Sequence, residues 1–462
     1  MDDKMTRREA LKGLFFAGMG LAAGGPLLKS LGTPAGAANL PAAFPWKEAP
    51  EGSKIDSRTW EKMGETLGML GLGCMRLPTV GGGGGGFGRG GRLDQEAVNA
   101  MVDYAIAHGV NYFDTAPAYG ESEVVTGKAL SRHPRSSYKI ATKISNMNGR
   151  PTLAAGKEMF ETSLKNLQVD YVDFLLLHNL QDMNGYNTRF KENGLFEWLL
   201  QQKAAGRIKH LGFSFHGSND DLPGLVDLYD WDFVQIQLNY ADWKEMSRGW
   251  GSGGGSETSS EFLYNHLVSK GIPVLVMEPV KGGALASVSD GVAAVMRERH
   301  PDLTPAANAL TFVGSRPGVM VTLSGMSNME QLKENVSLFT DFKAFDQKEM
   351  DFMMTVADLY KSKGQIPCTA CKYCMPCPAG VDIPGNFKIF NSASDALLSE
   401  DTTRKDVVSK RQAFLKLYKE QEAGIRADAC VTCNACLPKC PQHISIPQHM
   451  QRIKDLVSRI EA

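Results

Sequence analysis

The sequence has neither a large charge imbalance nor enough cysteine for a disulfide framework. Its 462 residues include 50 Lys and Arg against 51 Asp and Glu, a net charge of -1. Nucleic-acid binding needs clustered basic side chains, and the sequence contains no dense basic stripe, so we expect no nucleic-acid partner. Nine cysteines are too few to crosslink a chain of this length. With 43% hydrophobic residues, the chain should instead bury at least one substantial core.

Eight of the nine cysteines lie after residue 367, in two short runs that each end in Cys-Pro. The second run has the full spacing of bacterial ferredoxins, and the first is one residue shorter in its last gap. The runs are Cys368-x2-Cys371-x2-Cys374-x2-Cys377 and Cys430-x2-Cys433-x2-Cys436-x3-Cys440. This spacing predicts two 4Fe-4S clusters. Zinc ions or disulfides are the alternatives, but both are less typical of repeated x2 gaps that end in Cys-Pro.

The resemblance to ferredoxins also implies how the eight ligands are shared. In ferredoxins with two clusters, the fourth cysteine of each run ligates the other cluster. One cluster would then be bound by Cys368, Cys371, Cys374 and Cys440. The other would be bound by Cys430, Cys433, Cys436 and Cys377.

A hydrophobic run long enough to span a bilayer is missing from the N-terminus. The apolar stretch from Gly13 to Leu28 contains Pro26 and falls short of the roughly 18 to 20 residues required. It follows Arg7-Arg8 and precedes small residues up to Ala38, which is the pattern of a cleaved export signal. We therefore expect no stable membrane span.

The arginine pair resembles a twin-arginine signal, which directs folded proteins across the inner membrane. Export in the folded state suits a chain with iron-sulfur clusters, because the clusters are assembled in the cytoplasm. We expect residues 1–38 to be this signal, the twin-arginine export machinery to be a partner, and the periplasm or cell envelope to be the destination. An ordinary Sec signal is the alternative.

From about residue 67 to 340, short apolar runs alternate with segments of helical periodicity. The expected strands are Met69–Gly73, Val110–Asp114, Lys139–Lys143, Val172–His178, Ile208–Ser214, Phe233–Leu238, Pro273–Met277 and Val319–Leu323. Eight strand-helix units match an α/β fold of the TIM (β/α)8 barrel type, which has about 250 residues. A doubly wound open sheet is the alternative.

The predicted domain organisation follows from where this alternation begins and ends. Residues 39–66 form an N-terminal segment, and residues 67–345 form the barrel. Residues 346–462 form a smaller, mostly helical, ferredoxin-type domain that carries the two cysteine runs.

Polar residues follow three successive predicted strands at their C-terminal ends, where TIM barrels place their active sites. The second strand ends at Asp114 with Tyr119 close behind, the third ends at Lys143, and the fourth ends at His178. A phenol beside an ammonium has a lowered pKa and can act as a general acid. We therefore expect Lys143 to lower the pKa of Tyr119, Asp114 to hold Lys143 protonated, and His178 to position a substrate carbonyl.

The segments Asn111–Gly120, Ala141–Lys143 and Leu176–His178 resemble the signatures of the aldo/keto reductases. The similarity extends over roughly residues 67–340. It implies that the four polar residues are a catalytic tetrad working with a nicotinamide cofactor, NADP(H) or alternatively NAD(H). The corresponding cofactor-binding residues are Ser214, Gln237, Gly325, Gln331 and Asn335.

Three residues depart from the family pattern in the cofactor region. Ser327 stands where many members have a cation near the 2′-phosphate, and Met277 replaces the aromatic residue that stacks on nicotinamide. Glu278 would lie near the pyrophosphate, where its charge is unfavourable unless a cation such as Lys281 compensates.

The barrel and the cysteine runs together resemble the branch of aldo/keto reductases that is fused to a ferredoxin domain. The resemblance implies an oxidoreductase that acts on a small carbonyl or related substrate at the barrel mouth. Its two 4Fe-4S clusters would exchange electrons with a redox-partner protein. The alternative is an exported electron-transfer protein whose barrel is a non-catalytic docking or ligand-binding module.

Overall fold

The computed structural model describes residues 46–81, 92–146, 151–246, 258–362, 364–399, 402–440, 442 and 444–461. The predicted export signal at residues 1–38 lies outside these residues. The described strands, β1 to β10, are Ser57–Trp60, Glu65–Gly68, Leu70–Gly73, Tyr112–Asp114, Lys139–Ile144, Val172–Leu180, Ile208–Phe215, Phe233–Gln237, Val274–Met277 and Val319–Ser324. The described helices, α1 to α15, are Gln95–Ala107, Ser122–Leu130, Leu153–Leu167, Met183–Tyr186, Leu195–Ala204, Leu222–Val226, Ser260–Ser269, Asp290–Arg299, Pro305–Gly314, Met329–Phe339, Gln347–Ser362, Ile383–Ser392, Ser394–Leu397, Lys405–Glu420 and Ile446–Glu461.

Strands β3 to β10 form a closed parallel barrel in chain order, and β10 pairs with β3 to complete it. The strands are almost entirely buried, as expected when a parallel sheet is covered on both faces. The eight predicted strands are confirmed, with observed bounds within two residues of the expected ones. Because the sheet closes on itself, the doubly wound alternative is excluded.

Several barrel helices begin with a side-chain cap. Asp94, Thr152 and Asn328 each accept a hydrogen bond from the backbone N–H three residues later, at 3.1, 3.2 and 2.9 Å. These caps satisfy N–H groups that have no partner within the helix. Asn328 in this way fixes the start of α10 directly after the last barrel strand.

An antiparallel hairpin, β1 and β2, covers the N-terminal end of the barrel. Leu67 on this hairpin is fully buried in a cluster with Tyr112, Phe174 and Phe233 from the barrel interior. The Arg58 guanidinium donates to three backbone carbonyls near the start of β10. The hairpin therefore closes one end of the barrel and leaves the opposite, C-terminal end as the mouth.

Helix α11, Gln347–Ser362, packs on the barrel. Its buried side chains Met353, Val356 and Tyr360 belong to the same hydrophobic cluster as the barrel helices. The sequence pattern places this helix in the second domain, because the strand-helix alternation stops before residue 346. Its apolar face nevertheless completes the core of the barrel.

The cysteine-rich domain begins its own core at Ile366. Helices α12, α14 and α15 supply its apolar side chains, among them Phe387, Phe414 and Met450, and the buried thiols of Cys374 and Cys440 join the same cluster. The predicted smaller, mostly helical domain is confirmed. Within the part of the chain that the structure describes, no helix is long and apolar enough to cross a membrane.

The position of α11 predicts the effect of truncating its core side chain. Met353→Ala should lower the free energy of unfolding of the barrel by about 2 to 5 kcal/mol, because it leaves a cavity in the core. The exposed control Asp358→Ala should change it by no more than about 0.5 kcal/mol. Urea unfolding followed by tryptophan fluorescence measures both. Equal free energies of unfolding for the two variants would contradict the conclusion that α11 shares the core of the barrel.

Candidate active site

The four predicted tetrad residues meet at the C-terminal end of the barrel. Lys143 on β5 places Nζ 2.6 Å from Oδ2 of Asp114, at the end of β4, and also donates to the carbonyl of Thr115 at 2.9 Å. Both side chains of this ion pair are buried. Buried charges of this kind persist when they are paired and hydrogen-bonded, so the pair is a fixed element of the mouth.

Tyr119 and His178 face one cavity above this ion pair. The Lys143 ammonium lies 5.1 Å from the centroid of the Tyr119 ring. The Tyr119 and His178 rings stand edge to face with their centroids 6.0 Å apart. Nδ1 of His178 is 2.6 Å from Oγ of Ser145, which fixes the imidazole. Sequence reasoning missed Ser145, although it lies two residues after Lys143.

Burial, not the lysine charge, controls the acidity of Tyr119. It raises the pKa of this phenol well above 10.0, the Asp114 carboxylate adds to the increase, and Arg76 opposes it. The expected lowering of this pKa is not found, because burial outweighs the surrounding charges, and Lys143 is itself paired with Asp114 at 2.6 Å. Burial also lowers the pKa of His178 well below 6.5, with a further contribution from Lys143. At neutral pH the mouth therefore presents a protonated phenol and a neutral imidazole.

The cavity at the mouth has a volume of about 90 Å³ and is walled by both domains. Barrel residues on its wall include Asp114, Tyr119, His178, Ser214, Gln235 and Gly325. Residues of the cysteine-rich domain on its wall are Thr369, Cys371, Tyr373 and Gln442. The sequence does not predict that these residues of the cysteine-rich domain line the mouth, because no local pattern reveals a contact between segments so far apart in the chain.

The cysteines gather in two groups that mix the two runs. Cys377 lines one small cavity together with Cys430, Cys433 and Cys436, although it belongs to the first run. In the other group, Cys440 lies close enough to influence the thiols of Cys368, Cys371 and Cys374 electrostatically. Each group therefore combines three cysteines of one run with the fourth cysteine of the other.

The two cysteine loops have the same backbone geometry despite their different lengths. Ala370 and Lys372 in the first loop have φ angles of 52° and 64°, and the equivalent Thr432 and Asn434 have 52° and 61°. Such left-handed residues turn the chain tightly, and the Ala370 N–H donates to Sγ of Cys368 at 3.4 Å. The loops therefore curl around the space that their thiols enclose.

Each group brings four cysteines together, which matches the ligand set of an iron-sulfur cluster. A single zinc ion needs four ligands at about 2.3 Å. Among the described residues, no three His, Cys, Asp or Glu side chains come close enough together to bind one metal ion. Four thiols around one space are instead the donor set of a 4Fe-4S cluster, in which each thiolate binds a different iron.

Comparisons with known proteins agree with this geometry. The model of the aldo/keto reductase family matches residues 70–357, and that of a 4Fe-4S dicluster domain matches residues 367–445. The chain belongs to the aldo/keto reductase family. It is an oxidoreductase of this family with a fused 4Fe-4S dicluster domain.

Three similar proteins share 22 to 26% sequence identity with this chain. L-galactose dehydrogenase of Arabidopsis thaliana is 26% identical over 67% of this chain and 97% of its own length. The uncharacterized oxidoreductase YqkF of Bacillus subtilis is 24% identical over 63% of this chain and 94% of its own length. A solved aldo-keto reductase from Bacillus halodurans, in its holo form, is 22% identical with a TM-score of 0.52 over 65% of this chain and 96% of its own, which shows the shared fold.

The cofactor residues expected in this reductase are only partly brought together. Ser214 and Gly325 line the mouth cavity, and Oγ of Ser214 accepts a hydrogen bond from the Asn179 N–H at 2.9 Å. Gln331 and Asn335 lie on α10 and are not among the cavity-lining residues. Asn335 is buried and donates to Ser324 Oγ at 3.0 Å, and so secures α10 to the end of β10.

Gln237 has its side-chain amide engaged within the protein. Its Nε2 donates to Asp242 Oδ2 at 2.7 Å and to Gln442 Oε1 at 3.0 Å, and its Oε1 accepts from Gln442 Nε2 at 2.8 Å. In addition, the mouth cavity of about 90 Å³ is much smaller than typical ligand pockets, which have volumes of about 300 to 1,000 Å³. The arrangement therefore does not fit a nicotinamide ring beside a substrate.

Lys281, named above as a cation that could compensate Glu278, pairs with another carboxylate. Nζ of Lys281 lies 2.6 Å from both carboxylate oxygens of Asp242, and both side chains are buried. Glu278 instead faces Arg76, with 3.6 Å between Oε1 and Nη2. Lys281 therefore stabilises the carboxylate that holds Gln237 and is not available to a diphosphate.

The mixed cysteine groups predict a pattern of iron loss. Cys377→Ala and Cys433→Ala should each remove the same cluster, so the double variant should lose no more iron than either single variant. Cys377→Ala combined with Cys371→Ala should lose both clusters. Iron content and EPR of the dithionite-reduced protein measure this, with Cys74→Ala in the barrel as the control. Additive loss from Cys377→Ala and Cys433→Ala would contradict the mixed groups.

Proposed function

We propose that this protein is an exported iron-sulfur oxidoreductase that carries out two-electron chemistry on a small carbonyl compound at the barrel mouth. The observation that carries the proposal is that one cavity is lined by Tyr119, by His178 and by Cys371, a thiol of the first cysteine group. The site of proton transfer and a ligand of an electron carrier therefore share one wall. A barrel that only docks a partner or binds a ligand would not require Tyr119, His178 and Cys371 to line the same cavity.

The tetrad supplies the proton chemistry in this proposal. A substrate carbonyl oxygen binds between the Tyr119 hydroxyl and the neutral His178 imidazole, and Tyr119 donates the proton that oxygen gains on reduction. The balance is completed by two electrons, which the clusters would supply one at a time from the redox partner, and by a second proton from water, which bonds to the carbonyl carbon. The buried Lys143–Asp114 pair supports this end of the cavity, and Ser145 holds the imidazole at 2.6 Å. The reverse reaction uses the same groups, because the phenol is both the proton donor and, after donation, the base.

The eight cysteines bind two 4Fe-4S clusters in this proposal, in the mixed groups described above. When bound, the clusters supply one-electron transfer. The second group, with the exposed Cys433, offers the route toward solvent and a redox-partner protein. The first group, through Cys371, borders the mouth.

NADP(H), or NAD(H), is the hydride donor that family membership suggests for this enzyme. Ser214 and Gly325 at the mouth support it, whereas the engaged amide of Gln237 and the small cavity do not. The proton chemistry proposed for the tetrad does not involve nicotinamide. The arginine pair in the sequence supports export by the twin-arginine route to the periplasm or cell envelope, because clusters are inserted before a folded protein leaves the cytoplasm.

Removing the phenol hydroxyl tests the proposed reaction. Tyr119→Phe should lower kcat for reduction of small carbonyl compounds by roughly 100- to 10,000-fold, which is the usual contribution of a general acid. Both clusters should remain, as seen by EPR. The assay is run anaerobically with dithionite and with NADPH as reductants, and Tyr138→Phe, buried outside the mouth, is the control. Full activity of Tyr119→Phe would reject the proposal.

The shifted pKa values predict an unusual pH profile. The phenol is the active form of Tyr119 in reduction, and its raised pKa keeps it protonated well beyond pH 10.0. The lowered pKa of His178 keeps the imidazole neutral on both sides of pH 6.5. The kcat for reduction should therefore show no inflection between these two values. An inflection near either value that the Tyr119 or His178 variants remove would contradict the assignment.

A further inference from the structure

Three of the contacts between described residues hold the cysteine-rich domain at the barrel mouth. The Thr369 carbonyl accepts a hydrogen bond from Arg76 Nη2 at 2.6 Å. The same carbonyl packs against Gly282, where an added Cβ would lie 2.0 Å from it. Gln442 pairs with Gln237 through two amide hydrogen bonds of 3.0 and 2.8 Å. Together these contacts place one segment from each cysteine run over the tetrad.

The amide pair of Gln237 and Gln442 is buried and is supported by further hydrogen bonds. Gln237 and Gln442 are both only 7% exposed. Behind them, Asp242 accepts from Gln237 and is itself held by Lys281 and by Asn239. Separating the pair would leave buried polar groups without partners unless water or another amide replaced them, and unsatisfied buried groups are costly. A ligand that bears a carboxamide is the natural replacement.

The volume of the mouth cavity also indicates that the docked domain competes with a nicotinamide ring. To deliver hydride, a nicotinamide ring must lie against a carbonyl carbon held by Tyr119 and His178, and so must lie in the mouth cavity. That cavity measures about 90 Å³, and Thr369, Cys371, Tyr373 and Gln442 form part of its wall. This is much smaller than the roughly 300 to 1,000 Å³ of typical ligand pockets, so the docked domain leaves little room for a nicotinamide ring beside a carbonyl compound.

We infer that the docked cysteine-rich domain takes the place of the nicotinamide ring in this barrel, with the Gln442 carboxamide on Gln237 where a ligand carboxamide would otherwise bind. Nicotinamide and the docked domain then exclude each other. The inference rests on the proposed function, because it takes the tetrad as the reacting centre. It deepens that proposal by making the docked mouth a site for a small carbonyl compound alone.

Two adjacent glycines provide a matched test of this exclusion. Gly282 and Gly283 have φ angles of 65° and 98°, so alanine is strained at both positions. Only at Gly282 would the added methyl group strike the Thr369 carbonyl, because the space around Gly283 is open to 4 Å. Gly282→Ala therefore pushes the domain away from the mouth, and Gly283→Ala controls for the backbone strain.

The measurement is NADPH binding to the full-length, cluster-loaded protein, followed by nucleotide fluorescence. We expect wild type and Gly283→Ala to bind weakly and Gly282→Ala to bind at least about tenfold tighter, because apparent affinity rises with the fraction of open molecules. Gln442→Ala should shift in the same direction and provides a second variant if Gly282→Ala loses its clusters. Cluster absorbance confirms that each variant is intact.

Equal NADPH affinity in wild type, Gly282→Ala and Gln442→Ala would overturn the inference, whether the shared affinity is tight or weak. The coupling must also be reciprocal, so saturating NADPH should increase the radius of gyration of wild type in X-ray scattering. An unchanged radius at saturation would also overturn it.

The failure of this inference can be distinguished from the failure of the proposed function. Binding is measured without turnover, so the expected affinity differences can appear even if no carbonyl compound is reduced. That result would reject the proposed reaction and keep the exclusion. Carbonyl reduction that depends on Tyr119, combined with equal affinities, would keep the reaction and reject the exclusion.

Discussion

The buried ion pair between Lys143 and Asp114 is the interaction on which the rest of the mouth depends. At 2.6 Å the two charges compensate each other inside the protein. An uncompensated charge at this depth would demand water or a counter-ion. Because the pair is neutral overall, a second domain can cover the mouth without burying net charge. Burial raises the pKa of Tyr119 beside this pair, so its side chain stays a phenol.

A second buried pair, Lys281 with Asp242, supports the contact between the domains. Asp242 orients Gln237, and Gln237 in turn binds Gln442 of the cysteine-rich domain. Among the described residues at and beside the mouth, Lys143, Lys281 and Arg76 are each paired with a carboxylate of the barrel. This explains how a member of a nicotinamide-using family can carry a docked cluster domain over its active centre.

The two domains divide the chemistry of the proposed enzyme. The barrel contributes a protonated phenol and a neutral imidazole, both kept in these states by burial. The other domain contributes thiols, and Cys371 lies in the wall of the same cavity. Proton transfer and electron transfer act on one small substrate when their groups converge in this way. The proposed reaction therefore depends on the close contact between the two domains as much as on the identity of the residues.

The sequence by itself determined the elements whose signals are local. Strand periodicity located the eight barrel strands, strand ends located Asp114, Lys143 and His178, and ligand spacing located the cysteines. Tertiary structure alone decided what depends on distant neighbours. It decided the raised pKa of Tyr119, because burial outweighs a lysine that already has a partner. It also decided the partners of Lys281 and Gln237, because these side chains reach residues that no spacing rule connects, with Gln442 as the most distant along the chain.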